Sequence, residues 1–274
     1  MQPREPPSRT EVRDAADRHP QIARLQVRDV YARALRLYRR EPFRVSVTAV
    51  LLLGPGLFLG IGSGAFADRL ADDTAWDRFL AVLVIALLGT VLGTLGTVAY
   101  SGVLDELVGA VIRGETPPPI PAAVRNLPFW RLIVADLYVA IAAGIGSALG
   151  VLPGIIVLAL FSTVGPIVNI ERHRPLAAIR RAAGLTSRHL FLTLMTVGIP
   201  LTLEIAAHEY LLHLKGDVGT LIEFLVGLPL IVTIGAAVGL NEVVLAYALL
   251  ARTPDSSVAE QVLATAPSVE AERL

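Results

Sequence analysis

The chain has 274 residues, 54% of them hydrophobic, with a mean hydropathy of +0.61 and a formal net charge of zero. Neutrality removes any global electrostatic pull toward nucleic acid, and the absence of cysteine excludes disulfides, thiolate metal sites and cysteine nucleophiles. The length accommodates one membrane bundle but no separate soluble enzyme domain, which usually needs ~100 residues or more.

Residues 1–20 are rich in Pro, Arg, Glu and Asp, and are expected to form a disordered tail. The first apolar run starts near Val45, too late for a cleavable signal peptide, so the first crossing is expected to act as an uncleaved anchor. A bilayer core ~30 Å thick needs ~20 apolar residues per helical crossing. The runs predict crossings at Val45–Gly64, Phe79–Val103, Leu132–Val151, Ile155–Ile170, Leu190–Ala207 and Thr220–Leu245. The apolar run from Leu132 to Ile170 is divided in two at Leu152-Pro153-Gly154, a turn-compatible breaker. Pro200 and Pro229 fall inside the last two crossings, where neighbouring groups can re-satisfy the carbonyls that proline frees. Residues 21–252 then form the transmembrane domain and 253–274 a second tail.

Basic and base-poor connections alternate. Arg24 to Arg44, Arg113 to Arg131, and Arg172 to Arg188 are arginine-rich, whereas Asp68, Asp72, Asp73 and Asp77 mark an acidic loop and Val151–Gly154 is bare. The positive-inside rule places the basic segments and both termini in the cytoplasm. Lys215 is the single lysine, a bias expected of a GC-rich bacterial genome.

Each basic segment repeats one theme. Ala34-Leu35-Arg36 precedes Arg44, Ala123-Val124-Arg125 precedes Arg131, and Ala178-Ile179-Arg180 precedes Arg188. Each is expected to be an amphipathic helix at the cytoplasmic interface that leads into a transmembrane hairpin. In the first, Val30, Ala34, Leu37 and Tyr38 share a face, with Arg33, Arg36 and Arg40 elsewhere. The apolar face is expected at the acyl boundary and the arginines at lipid phosphates. This makes Arg36, Arg44, Arg125, Arg131, Arg180, Arg181 and Arg188 candidate headgroup contacts.

Ionisable residues inside membrane spans are functional candidates because burying them is costly. Asp136 lies about one turn inside the third crossing, where it can carry a proton or pair with Arg131. Asp105 and Glu106 are expected to be solvated or arginine-paired at the end of the second. Asn241 and Glu242 lie late in the sixth, and Asn241 is expected to bond across helices. Glu171 is expected to anchor an interfacial helix through a neighbouring arginine. Glu204, His208, Glu209 and His213 cluster in sequence, but His213 is five residues after His208 rather than four, so no zinc-protease signature results. Glycines at four-residue spacing, among them Gly56/Gly60, Gly89/Gly93, Gly146/Gly150 and Gly235/Gly239, predict close helix approach. No motif calls for a cofactor or metal.

Leu152-Pro153-Gly154-Ile155-Ile156, then Gly165-Pro166-Ile167-Val168, Ile170-Glu171, Pro175-Leu176-Ala177-Ala178-Ile179-Arg180-Arg181, Leu185-Thr186 and Arg188, form a pattern over Val151–Leu194. It resembles the membrane domain attached to some bacterial glycerophosphoryl diester phosphodiesterases, and stand-alone six-helix proteins of that group. The resemblance implies six crossings and a cytoplasmic-membrane location. It brings no phosphodiesterase activity, because the catalytic barrel is missing from this chain.

The expected fold is all-α, a polytopic bundle of six transmembrane helices in three hairpins with cytoplasmic amphipathic interfacial helices. The expected role is non-enzymatic engagement of anionic membrane lipids, or organisation of a membrane partner or homo-oligomer. The alternative is a small transporter or permease using Asp136.

Overall fold

A backbone in hydrocarbon has no water to bond, so a chain this apolar must satisfy its amides internally. The computed structural model describes residues 25–69, 75–203, 206–207, 223–253 and 258, and among these the chain is helical with no strand. The 1–20 tail, the Glu204 and His208–His213 cluster, and nearly all of 253–274 lie outside the described residues.

In order, the elements are α1 (Val27–Arg40), α2 (Pro42–Arg69), α3 (Ala75–Arg113), α4 (Ile120–Arg125), α5 (Phe129–Ala148), α6 (Val151–Phe161), α7 (Val164–Glu171) and α8 (Pro175–Ser187). Next, α9 (Leu190–Thr193) continues through a π-helical turn, Leu194–Gly198, and the apolar helix extends to Leu203. A second π-helical turn, Glu223–Gly227, leads into α10 (Leu228–Leu250).

Among the described residues, five stretches are long and apolar enough to cross a membrane: Pro42–Leu59, Phe79–Arg113, Phe129–Ala148, Val151–Glu171 and Leu225–Leu250. The helix in the region expected to form a further crossing, Leu190–Leu203, falls short of that length among the described residues. The second stretch is longer than its apolar run predicts, 35 residues rather than an end near Val103. At 1.5 Å per residue it is about 52 Å long, against a hydrocarbon core of ~30 Å.

Two sequence expectations shift in detail. The break between α5 and α6 falls at Leu149–Gly150, not at Leu152-Pro153-Gly154. Gly150 adopts φ 138°, a backbone region that a side chain would oppose. Pro153 instead sits in the first turn of α6, where its missing N–H would have had no helical partner. The second shift concerns α1. Val30, Ala34 and Leu37 are buried, but against the π turn after α9 and against α10 rather than at an acyl boundary. Tyr38 stays exposed and its hydroxyl meets Ser46 Oγ at 3.2 Å.

The α2 and α3 helices pack against each other along their length, and the C-terminal half of α10 is buried against α1, α2 and α3. Glycine sets the closest approach. A Cβ on Gly56 would overlap the backbone of Gly93, and one on Gly96 would strike the carbonyl of Leu52. Between α5 and α6, Gly146 faces Gly154 and the Pro153 carbonyl. The outward faces of α3 and α5 carry exposed Leu80, Leu83, Val84, Leu87, Leu137 and Ile141, the composition a lipid-facing surface requires.

Because backbone cannot yield as a side-chain tip can, Gly96→Ala is expected to destabilise the protein by about 1–3 kcal/mol. Gly54→Ala, which meets nothing within 4 Å, should leave stability unchanged or slightly raised. Unfolding midpoints of both variants in mild detergent check this.

Candidate functional site

The site is built from α1 upward. The Asp29 carboxylate accepts the Gln26 backbone N–H at 3.2 Å, closing the first turn, and Arg39 and Arg40 lie in the last turn, where cations suit the helix dipole. A tyrosine then ties α1 to the bundle. Pro200 has no N–H to give either Thr196, four residues back, or Met195, five back in the π-helical register. Tyr31 donates its hydroxyl to those carbonyls instead, at 3.0 Å to Met195 and 3.5 Å to Thr196. Burial raises the Tyr31 pKa, which keeps the hydroxyl a donor.

With that face turned inward, Arg33, Arg36 and Arg40, spaced i, i+3 and i+7, share another flank of α1. They border a cavity of about 620 Å³ between α1, the C-terminal part of α3 and the end of α10. Arg252, just beyond α10, completes a rim of four guanidiniums. The walls below are Leu37, Val108, Val111, Ile112, Val244, Ala248 and Ala251, and among the described residues no carboxylate lines the space. Burial, then the charge of Arg33, lower the pKa of Arg252, with Asp29 opposing. The rim thus holds like charges together with little compensation.

Of the seven arginines expected as headgroup contacts, only Arg36 is in this cavity. Arg44 borders a second one of about 460 Å³ with Arg40 and Ile120. Arg131 bonds the carbonyl of Arg172 at 2.9 Å and so does not pair with Asp136. Arg181 makes a two-point bond to Glu171, 2.9 Å from Nη2 and 3.1 Å from Nε. Glu171 is 7% exposed and also meets His173 Nε2 at 3.1 Å, so it fastens α8 to the end of α7. Arg125, Arg180 and Arg188 are exposed. The repeated motif nonetheless has a common geometry. Its alanines, Ala34, Ala123 and Ala178, are 5%, 1% and 0% exposed, and the arginine two residues on points outward each time.

Arg33 and Arg40 were legible as neighbours of Arg36 on a helix face. Arg252 was not singled out, although its place directly after the last apolar run puts it at a membrane boundary.

The intramembrane polar residues fall into two groups. Asp136 and Glu242 line one cavity of about 180 Å³. Asp105 is 2% exposed rather than solvated, and accepts a bond from Asn169 Nδ2 at 3.3 Å. Tyr247 donates to the Asp105 backbone carbonyl at 3.1 Å. The reason is the length of α3, which carries Asp105 past the end of the apolar run while α7 and α10 still pack around it. Asn241 is buried without a cross-helix hydrogen bond among the described residues. No group of three or more metal-ligating side chains occurs among the described residues.

No family model, curated protein or solved structure matches the chain.

Two outcomes follow from the anchoring contacts. Tyr31→Phe removes the donor that Pro200 makes necessary and is expected to cost about 1 kcal/mol, read as a lower unfolding midpoint. Arg181→Ala leaves the largely buried Glu171 short of its main partner and should cost about 2 kcal/mol; the conservative Arg181→Lys should recover part of that loss, because it restores charge but not the two-point bond.

Proposed function

We propose that this chain is a multi-pass protein of a bacterial cytoplasmic membrane, with six crossings in three hairpins and both termini cytoplasmic, that binds anionic phospholipid at the Arg33/Arg36/Arg40/Arg252 cavity. The observation that carries this is the pairing of four guanidiniums with an apolar floor in one space. Arginine matches phosphate oxygens in charge and in planar geometry. The wall of Val108, Val111, Ile112 and Val244 suits the first carbons of an acyl chain. The cavity lies where two apolar spans end, the depth at which a headgroup sits.

The remaining crossing, fifth in chain order, is assigned to the helix that begins at Leu190, whose apolar run continues in sequence to Ala207. The three buried alanines of the repeated motif support three equivalent entries into the membrane. The resemblance of Val151–Leu194 to the phosphodiesterase-linked membrane domain agrees with six crossings and a cytoplasmic-membrane location. Among the described residues there is no nucleophile–base pair at this cavity, whose polar lining there is arginine and Tyr247.

Each arginine near an anionic surface contributes ~1 kcal/mol. The combined variant Arg33→Gln, Arg36→Gln and Arg252→Gln is therefore expected to weaken binding of short-chain phosphatidylglycerol to the purified protein by about 100-fold. Phosphatidylcholine binding should change little. Replacing the exposed Arg125, Arg180 and Arg188 by Gln is the control. If it weakens phosphatidylglycerol binding as much as the cavity variant, diffuse surface charge binds the lipid and the cavity does not.

A further inference from the structure

Val258 lies beyond the end of α10, in the segment that follows the last apolar span. It is nonetheless 1% exposed, belongs to the hydrophobic core and lines the arginine cavity. The segment after the membrane bundle is therefore fixed at the cavity by one apolar side chain.

Connectivity then limits where the next carboxylate can be. A trans backbone advances by at most ~3.6 Å per residue, so Glu260, two residues on, keeps its Cα within about 7 Å of that of Val258 by any path. Arg33, Arg36, Arg40 and Arg252 border the same space as Val258. Residues 259–274 lie outside the described residues, and their sequence carries Glu260, Glu270 and Glu272 against Arg273 alone. Their charge is thus opposite in sign to that of the rim. Val262 follows Val258 by four residues, the spacing that places two side chains on one face of a helix, and the floor of the cavity is apolar.

Resting on the lipid reading above, we propose that residues 259–274 are an intramolecular occupant of the arginine cavity, moored by Val258 and paired with the rim through Glu260, and that anionic lipid enters by displacing them. Tethering supplies what a single carboxylate–arginine contact lacks. A solvent-exposed ion pair contributes only ~0–1 kcal/mol, but a segment held at the cavity meets the rim at an effective concentration on the order of millimolar. Carboxylate and phosphate take the same guanidinium donors, so the two occupants exclude each other. The tail then sets a threshold that anionic lipid must exceed.

The chain has no cysteine, so introduced ones report only their own positions. Spin labels are placed on Leu35→Cys, an exposed position of α1 outside the cavity, and on Gln261→Cys of the full chain. Pulsed electron paramagnetic resonance in mild detergent should give one narrow distance. Short-chain phosphatidylglycerol should broaden it saturably, phosphatidylcholine should not, and the Arg33/Arg36/Arg252 variant should be broad from the start. In unlabelled protein, Glu260→Gln should raise phosphatidylglycerol affinity about two- to threefold, and removal of residues 259–274 about fivefold or more. If the shortened chain does not fold, Glu260→Gln and the distance decide. A broad distance in the purified wild type without added lipid means that another occupant holds the cavity, and it overturns the proposal. So does a phosphatidylglycerol affinity that neither change raises. If neither the full nor the shortened chain binds phosphatidylglycerol, the lipid reading fails, while the distance and its loss in the arginine variant still decide whether the tail occupies the cavity.

Discussion

A carbonyl that loses its helical donor in an apolar environment must find another, and in this protein that requirement shapes the bundle. Pro200 withholds the one N–H that a carbonyl four or five residues back would take, the helix widens into a π turn there, and Tyr31 donates to the Met195 and Thr196 carbonyls from a helix far away in sequence. The same bond orients α1. With Tyr31 pointing at the π turn, Val30, Ala34 and Leu37 face the core and Arg33, Arg36 and Arg40 face the ends of α3 and α10. The orientation of these arginines is therefore tied to a π turn whose Thr196 lies 165 residues from Tyr31 along the chain.

The arginines divide into two kinds that composition cannot separate. Arg131 and Arg181 bond a carbonyl and a carboxylate within the protein, and their charge is committed to holding α5, α7 and α8 together. Arg33, Arg36, Arg40 and Arg252 border an apolar hollow that no carboxylate enters among the described residues. Arginines of similar sequence context thus serve partly as scaffold and partly as the border of an open hollow, and geometry decides which.

Sequence patterning made the helices legible because hydrocarbon permits little else, and it made the inward face of α1 legible because burial follows the helical period. Glycine spacing foreshadowed the meeting of Gly56 and Gly93, though not the tighter contact of Gly96 with Leu52, which depends on how far one helix slides along the other. The turn at Gly150 was obscured by Pro153, whose ring is as acceptable in a first helical turn as in a loop. Asp105 resembled an exposed charge because its own helix has ended its apolar run by then; the residues that bury it belong to α7 and α10. Arg252 became a site residue only through convergence of distant segments, which no local window contains.

The long α3 helix lines both hollows, with Thr97 and Ser101 at one and Val108, Val111 and Ile112 at the other. Ser101 and Val108 are seven residues apart, about 10 Å along a rigid helical rod. Glycine contacts leave this rod no compressible padding against α2. A guest that displaces α3 along its axis at one hollow must redraw the walls of the other. Any such coupling would act equally in both directions, because a single rigid rod forms part of both walls.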